Sequence, residues 1–356
     1  MLGRRQVVRH RFLVPAFAGS NPAAPASRIS QNFPKACHPG QRSIDQRSVN
    51  SNFSRSSDGR AWARCGAIAA LLVLLLPVKA AAESRFPPVS RWTPSIVSSP
   101  LWESHPAIDP LTGDLWFVRS DKSFSGWRLY LSKCRSGRLS TPAEQQLAGP
   151  GLEADPWFSA DGKTMWFIST GPRAPAASAS LDVWERKRGP GGRWTKPVRL
   201  AEPVNSAFAE WFPRIGPDGW LYFGSRRPGG FGKDDIWRAR RVSGGRWAVE
   251  NVGAELNSAA AEYEFEPARS GTWGILSTDD GLVRVVHGRQ GWRRAGKYRP
   301  EVNSNGTEIG PLILGSGEHF LFSRDTGPAA SGEIFVAGSN GAHLAAGRCT
   351  GRFRRG

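Results

Sequence analysis

A single pattern recurs five times in this 356-residue chain, and it constrains the fold more than any other feature. A Glu is followed, after two residues, by a Pro-type position. A turn of small residues and Gly comes next, and then an aromatic-rich run ending in Ser. The blocks start at Glu103 (ESHPAIDPLTGDLWFVRS), Glu153 (EADPWFSADGKTMWFIST), Glu210 (EWFPRIGPDGWLYFGS), Glu262 (EYEFEPARSGTWGILS) and Glu308 (EIGPLILGSGEHFLFS). The Glu-to-Glu spacings are 50, 57, 52 and 46 residues, the repeat length of a propeller blade rather than of a helical solenoid.

Each block reads as four short strands. In the third, Phe212 to Ile215 forms an inner strand and Asp218-Gly219 the hairpin turn, where Gly accepts positive φ. Trp220 to Ser225 and Asp235 to Arg238 are the next two strands, and the last runs from Gly245 toward Val252. No long helical period appears, and the 41 Gly and 27 Pro fall between the strands, where turns belong. One four-stranded sheet cannot bury both faces, whereas radial packing covers each sheet with its neighbour. The aromatics keep their offsets: Trp116-Phe117, Trp166-Phe167 and Tyr222-Phe223 on strand two, Tyr130, Trp184, Trp237 and Phe335 on strand three, Trp194, Trp247 and Trp292 on strand four. Such a set is inter-blade packing. The last block lacks a fourth strand, and the segment from Arg91 to Val97 lies unused before the first block. The expectation is an all-β, five-bladed propeller over residues 91–345, its final blade completed by that N-terminal strand; a sixth blade would not fit the spacings.

The formal charge of +18 invites a nucleic-acid reading, which weakens on inspection. Residues 1–82 hold 12 Lys/Arg and only Asp45 and Asp58 as acids, leaving +8 for the rest. The remaining bases form short clusters, including Arg186-Lys187-Arg188, Arg238 with Arg240-Arg241, and a basic tail over 346–356. No long basic stripe that would track phosphates is visible. Before the blocks, Arg55, Arg60 and Arg64 precede the apolar run Gly66–Leu76, and Pro77 and Ala80-Ala81-Ala82 follow. That is a secretory signal over 49–82, with Glu83 as first mature residue and a periplasmic or secreted destination. The apolar run is too short to span a bilayer. Residues 1–48 read as a disordered leader or as sequence upstream of a start near Val49, since Gly19-Ser20-Asn21-Pro22 is what a tRNA-gene T-arm would encode. Of the mature cysteines, Cys134 and Cys349 both lie near the seam between first and last blades; a bridge and two buried thiols are both open readings.

The strings of type P-x-[FI]-x-x-D-G-x-x-x-x-F-x-S, together with Ser225-Arg226-Arg227-Pro228-Gly229-Gly230-Phe231-Gly232-Lys233-Asp234-Asp235-Ile236-Trp237, resemble the WD40-like, TolB-type β-propeller repeat family of bacterial envelope proteins. The resemblance covers about residues 91–339, with Phe265 replacing the Pro in the fourth block. It implies a propeller and is silent on the ligand.

Three sets of residues fall at the mouth formed by the loops between blades. The repeated Glu103, Glu153, Glu210, Glu262 and Glu308 are the candidate binding set: a ring of carboxylates suits a cation such as Ca²⁺, while the plainer role is to cap backbone N–H groups. Two residues later the repeat loses its symmetry, holding His105, Asp155, Phe212, Glu264 and Gly310. Here His105, Asp155 and Glu264 are the candidate catalytic acid, base and positioning groups of a glycan hydrolase. Finally, Asn205-Ser206, Asn257-Ser258 and Asn303-Ser304 each stand five residues before a repeat Glu, where Asx-turn chemistry accounts for them. The reading favoured by the symmetric acids is a monomeric, non-catalytic module that binds an envelope protein or a glycan without a cofactor; the alternative is the glycan hydrolase.

Overall fold

The structure, a computed structural model, describes residues 89–172, 180–304, 308–315, 319–326, 332–338 and Cys349. The leader over 1–48, the signal segment over 49–82, the expected propeller end at 345 and all of the basic tail except Cys349 lie outside the described residues. The first strand among the described residues is β1 (Val89–Arg91). Blade one follows as β2 (Trp102–Ile108), β3 (Leu115–Ser120) and β4 (Arg128–Ser132), then a small hairpin of β5 (Cys134–Arg135) and β6 (Arg138–Leu139), then β7 (Ala143–Gln145). Blade two is β8 (Glu153–Phe158), β9 (Thr164–Ser169), β10 (Asp182–Lys187) and β11 (Val198–Arg199). Blade three is β12 (Glu210–Ile215), β13 (Leu221–Ser225), β14 (Asp235–Arg241) and β15 (Trp247–Asn251). Blade four is β16 (Glu262–Pro267), β17 (Trp273–Thr278), β18 (Gly281–Gly288) and β19 (Gly291–Lys297). Blade five is β20 (Ile309–Leu314), β21 (His319–Asp325) and β22 (Gly332–Ala337), with β1 as its fourth strand.

The five antiparallel sheets are therefore the expected five-bladed propeller, closed by the chain's N-terminal strand. That strand pairs Val89 with Ala337 and Arg91 with Phe335, two residues earlier than the sequence predicts. Beyond Arg91 the ladder stops: Trp92 and Thr93 both donate to the Ile334 carbonyl, and Pro94 has no N–H to continue it. Trp92 and Val97 instead leave the sheet and pack against Ile334, Val336 and Leu321. Cys134, in the hairpin of blade one, is bridged to Cys349, which also donates its N–H to the Gly137 carbonyl. A bridge of this kind persists in oxidising compartments.

The Pro of the repeat has a definite structural effect. In blades one, two, three and five, two inner-strand residues face one residue of strand two: 105–106 opposite Phe117, 155–156 opposite Phe167, 212–213 opposite Phe223, and 310–311 opposite Phe322. The second of each pair is the repeat Pro, which cannot donate to the ladder, so the strand bulges there. The opposing Phe, each fully buried, fills the gap. The residue before Pro takes positive φ: His105 48°, Asp155 53°, Phe212 49° and Gly310 61°. Blade four, with Phe265 in place of Pro, bulges one residue earlier, at Tyr263, and Glu264 does not take positive φ. The bulges turn His105, Asp155, Phe212 and Gly310 out of the regular ladder.

Candidate functional site

The bulge residues of blades one and two meet the equivalent, unbulged position of blade four. His105 Nε2 lies 2.8 Å from Glu264 Oε1 and 3.4 Å from Asp155 Oδ1, while His105 Nδ1 is 2.9 Å from Ser104 Oγ. Each carboxylate is held from behind. Glu264 Oε2 accepts from Ser277 Oγ (2.6 Å) and the Gly310 N–H (2.7 Å), and Asp155 Oδ2 accepts from the Phe212 N–H (2.8 Å). Phe212 and Gly310, the remaining two bulge residues, thus serve through their backbones. Gly310 is also required sterically: a Cβ there would come within 2.9 Å of the His105 N.

Two residues further along their strands, Arg214 and Glu266 add a second charged layer. Arg214 Nε donates to Glu266 Oε2 at 2.5 Å, and its guanidinium carbon lies 3.4 Å from the centre of the Phe212 ring. These two residues were missed in the sequence because their blade equivalents are Ala107, Trp157 and Leu312, which break any pattern. The available signal was an Arg and a Glu at the same repeat offset in adjacent blades, inside otherwise apolar strands. Phe124 was missed as well. From the loop between β3 and β4 it stacks over His105 at 6.1 Å, and it adjoins Trp102 (5.3 Å) and Trp127 (5.4 Å).

The electrostatics follow from burial and mutual charge. Burial lowers the His105 pKa, but Asp155 and Glu264 outweigh it and hold the imidazole above its ordinary value. Burial raises Glu264, and the imidazolium with the Ser277 and Gly310 donors overcomes it, leaving that carboxyl below its ordinary value. Asp155, the more distant partner, stays raised by burial, as does Glu266; burial likewise lowers Arg214. The His105 imidazole is therefore held above its ordinary pKa by two carboxylates, of which Glu264 is held below its own and Asp155 above it. His105, Asp155 and Glu264 are each only 5% exposed, so the imidazole fills the space between the two carboxylates. Two cavities lie away from this site: one of about 430 Å³ between the outer strands of blades two and three, beside Val198, Pro203, Arg246 and Trp247, and one of about 390 Å³ beside Thr170, Asp182 and Trp184.

The repeated Glu residues are buried and engaged inside their own loops. Glu210 accepts from the Ser206 N–H (3.2 Å), Ser206 Oγ (2.6 Å), Ser225 Oγ (3.2 Å) and Arg227 Nη2 (2.8 Å). Glu103 is bound by Ser99 and Arg119, Glu262 by Ser258 and Arg294, and Glu308 by Ser304 and Arg324. Glu153 has no such Ser and instead accepts the Leu147 and Ala148 N–H groups. These contacts are the capping role, and among the described residues no group of three His, Cys, Asp or Glu side chains is placed to hold a metal ion. The Asn residues do more than form local turns. Asn205, Asn257 and Asn303 each accept from and donate to the backbone of strand three of their own blade, at Val183, Ile236 and Leu282. Their side-chain amides act as an added rung of the sheet.

No protein-family model matches the chain, and no curated protein matches it either. Several solved structures are similar to parts of this chain. A structure titled as putative TolB from Agrobacterium tumefaciens is 18% identical over 59% of this chain and 87% of its own, with a TM-score of 0.34. A family 117 glycoside hydrolase from Zobellia galactanivorans is 10% identical over 71% and 90%, with a TM-score of 0.44. A gluconolactonase from Xanthomonas campestris is 14% identical over 71% and 96%, with a TM-score of 0.39.

Proposed function

We infer that this chain is an extracytoplasmic, monomeric binding module of the TolB-type repeat family, which engages an envelope protein or a glycan through the loop-rich end of its propeller. The observation that carries this reading is the wedge of His105 between Asp155 and Glu264. A glycosidase needs its two carboxyl groups to flank a sugar bond, with room for water or a covalent intermediate between them. In this chain an imidazole occupies that room, and the second oxygens of both carboxylates are committed to backbone N–H groups. The same end exposes Leu101, Phe208 and Phe231, apolar side chains of the kind buried in protein interfaces. The Cys134–Cys349 bridge supports the compartment, and neither nucleic acid nor a cofactor enters the reading.

One observation favours the hydrolase alternative. Three blade-specific polar residues converge, and two of them, His105 and Asp155, sit in strained left-handed backbone, a feature concentrated at functional sites. Thermal unfolding of the chain from Glu83 with a panel of oligosaccharides, alongside a reducing-sugar assay, separates the readings. Stabilisation or inertness without turnover is expected. Release of reducing ends that is lost in Asp155→Asn would replace the module with an enzyme.

A further inference from the structure

The arginine clusters that look scattered in sequence are gathered by the fold at one end of the propeller. In every blade the strands alternate direction, so the connections between strands three and four share one end with the turns between strands one and two. The ion pair of Arg188, from a blade-two connection, with Asp109, in a blade-one turn, shows the two kinds side by side. Blades one to four make the outer connection through residues 133–142, 187–197, 240–246 and 287–293. These segments hold three, four, three and two Lys/Arg and no Asp or Glu, while the described strand one-to-two turns at the same end add Asp109, Asp114, Asp161 and Asp218 with Lys163 and Arg269, so bases outnumber acids there. The opposite end is mixed: its described loops carry Asp121, Glu202, Glu255 and Asp279 as well as Lys122 and Arg226.

Three features of this basic end bear on its partner. Arg138, Arg193, Arg246 and Arg289, one per blade, are exposed and form no ion pair among the described residues. Other guanidinium groups sit over aromatic rings, with Arg240 4.6 Å from the Trp220 centroid and Arg241 4.4 Å from that of Trp247. Arg241 also donates to the Gly245 carbonyl, and guanidinium groups of this kind can pair with phosphate oxygens through their remaining N–H groups. The same end also exposes Leu111, 51% accessible in the first turn of blade one, and Val242, 37% accessible in the blade-three connection.

We propose that this end is a docking surface for an anionic phospholipid bilayer. The bases attract headgroup phosphates, and Leu111 and Val242 enter the interface between headgroups and acyl chains. A soluble polyanion would account for the charge but gives the exposed apolar side chains no role. The surface is distinct from the loop-rich end to which the binding reading above applies, so either can fail alone.

The test is sedimentation of the chain from Glu83 with phosphatidylcholine vesicles containing about a third phosphatidylglycerol, against phosphatidylcholine alone, at two salt concentrations. Binding to the anionic vesicles that falls with salt is expected. Each basic side chain near such a surface contributes about 1 kcal/mol, roughly five-fold in affinity. The combined Arg138→Ala, Arg193→Ala, Arg246→Ala and Arg289→Ala variant should therefore lose several hundred-fold, whereas Lys122→Ala with Lys233→Ala should change little. All these side chains are exposed, so an unchanged melting temperature checks the fold. Leu111→Ser with Val242→Ser should weaken vesicle binding several-fold and leave binding to dextran sulfate unaltered. No sedimentation with anionic vesicles overturns the proposal. So does equal loss in the Lys122/Lys233 variant, or indifference of vesicle binding to the Leu111/Val242 pair, which would assign the surface to soluble polyanions.

Discussion

Replacing Glu210 by Ala is the sharpest test of whether the repeated acids hold the blades together or serve a ligand. Glu210 is fully buried and accepts four hydrogen bonds, one of them from the Arg227 guanidinium. Burial raises its pKa, and its Ser206 and Arg227 partners pull against that, so the side chain is a desolvated charge held by its neighbours. Truncation leaves the Arg227 charge and the Ser206 donors beside an empty space. Breaking a buried pair from one side costs about 3–5 kcal/mol. At about 2–4 °C per kcal/mol for a domain of this size, the midpoint should fall by roughly 6–20 °C. Glu210→Gln keeps an acceptor but loses the charge, and should cost roughly 1.5–3 kcal/mol. Glu153→Ala removes an acceptor of two backbone N–H groups, with Arg128 and Arg186 as more distant charges, and should fall below Glu210→Ala. Calorimetry or denaturant titration of the three variants at neutral pH makes the comparison. A Glu210→Ala change within about 0.5 kcal/mol, the range of an ordinary surface substitution, would refute the capping argument and return the five carboxylates to the list of ligand groups.

The His105 pKa is raised in the folded state, so the stability it contributes is fully present below the ordinary imidazole value of about 6.5 and is lost as pH rises through the higher folded value. His105→Gln should therefore remove the fall in stability between the ordinary imidazole value and the higher folded one, and an unchanged profile would refute the raised His105 pKa. Glu264 has the opposite sign: its stabilisation is present above the ordinary carboxylate value and fades as pH falls through its lowered folded value, a component that Glu264→Gln should delete from acid-unfolding curves. Gly310→Ala combines a φ of 61° with a contact of 2.9 Å to the His105 backbone, and should destabilise by about 1–3 kcal/mol in urea titration. Cys134→Ser opens a loop of 215 residues, for which chain entropy sets an upper loss of about 5 kcal/mol, and added reductant should bring the wild type to the same midpoint.

Sequence by itself determined the number of blades, the strand order within them, the N-terminal closure and the aromatic packing positions. All of these repeat locally, and periodicity needs no knowledge of which blade touches which. It also held the bulges in plain form, because Pro106, Pro156, Pro213 and Pro311 cannot donate to a ladder and Phe265 marks the one blade that departs. Tertiary structure alone decided what those bulges aim at. That His105 fills the gap between Asp155 and Glu264, and that Arg214 finds Glu266, depends on contacts across a closed ring between residues 50 to 159 positions apart. The joining of Cys134 to Cys349 rests on the same closure. Clustering of charge was equally invisible in the chain: the basic segments are separated by whole blades in sequence, and only the shared direction of corresponding strands brings them to one end.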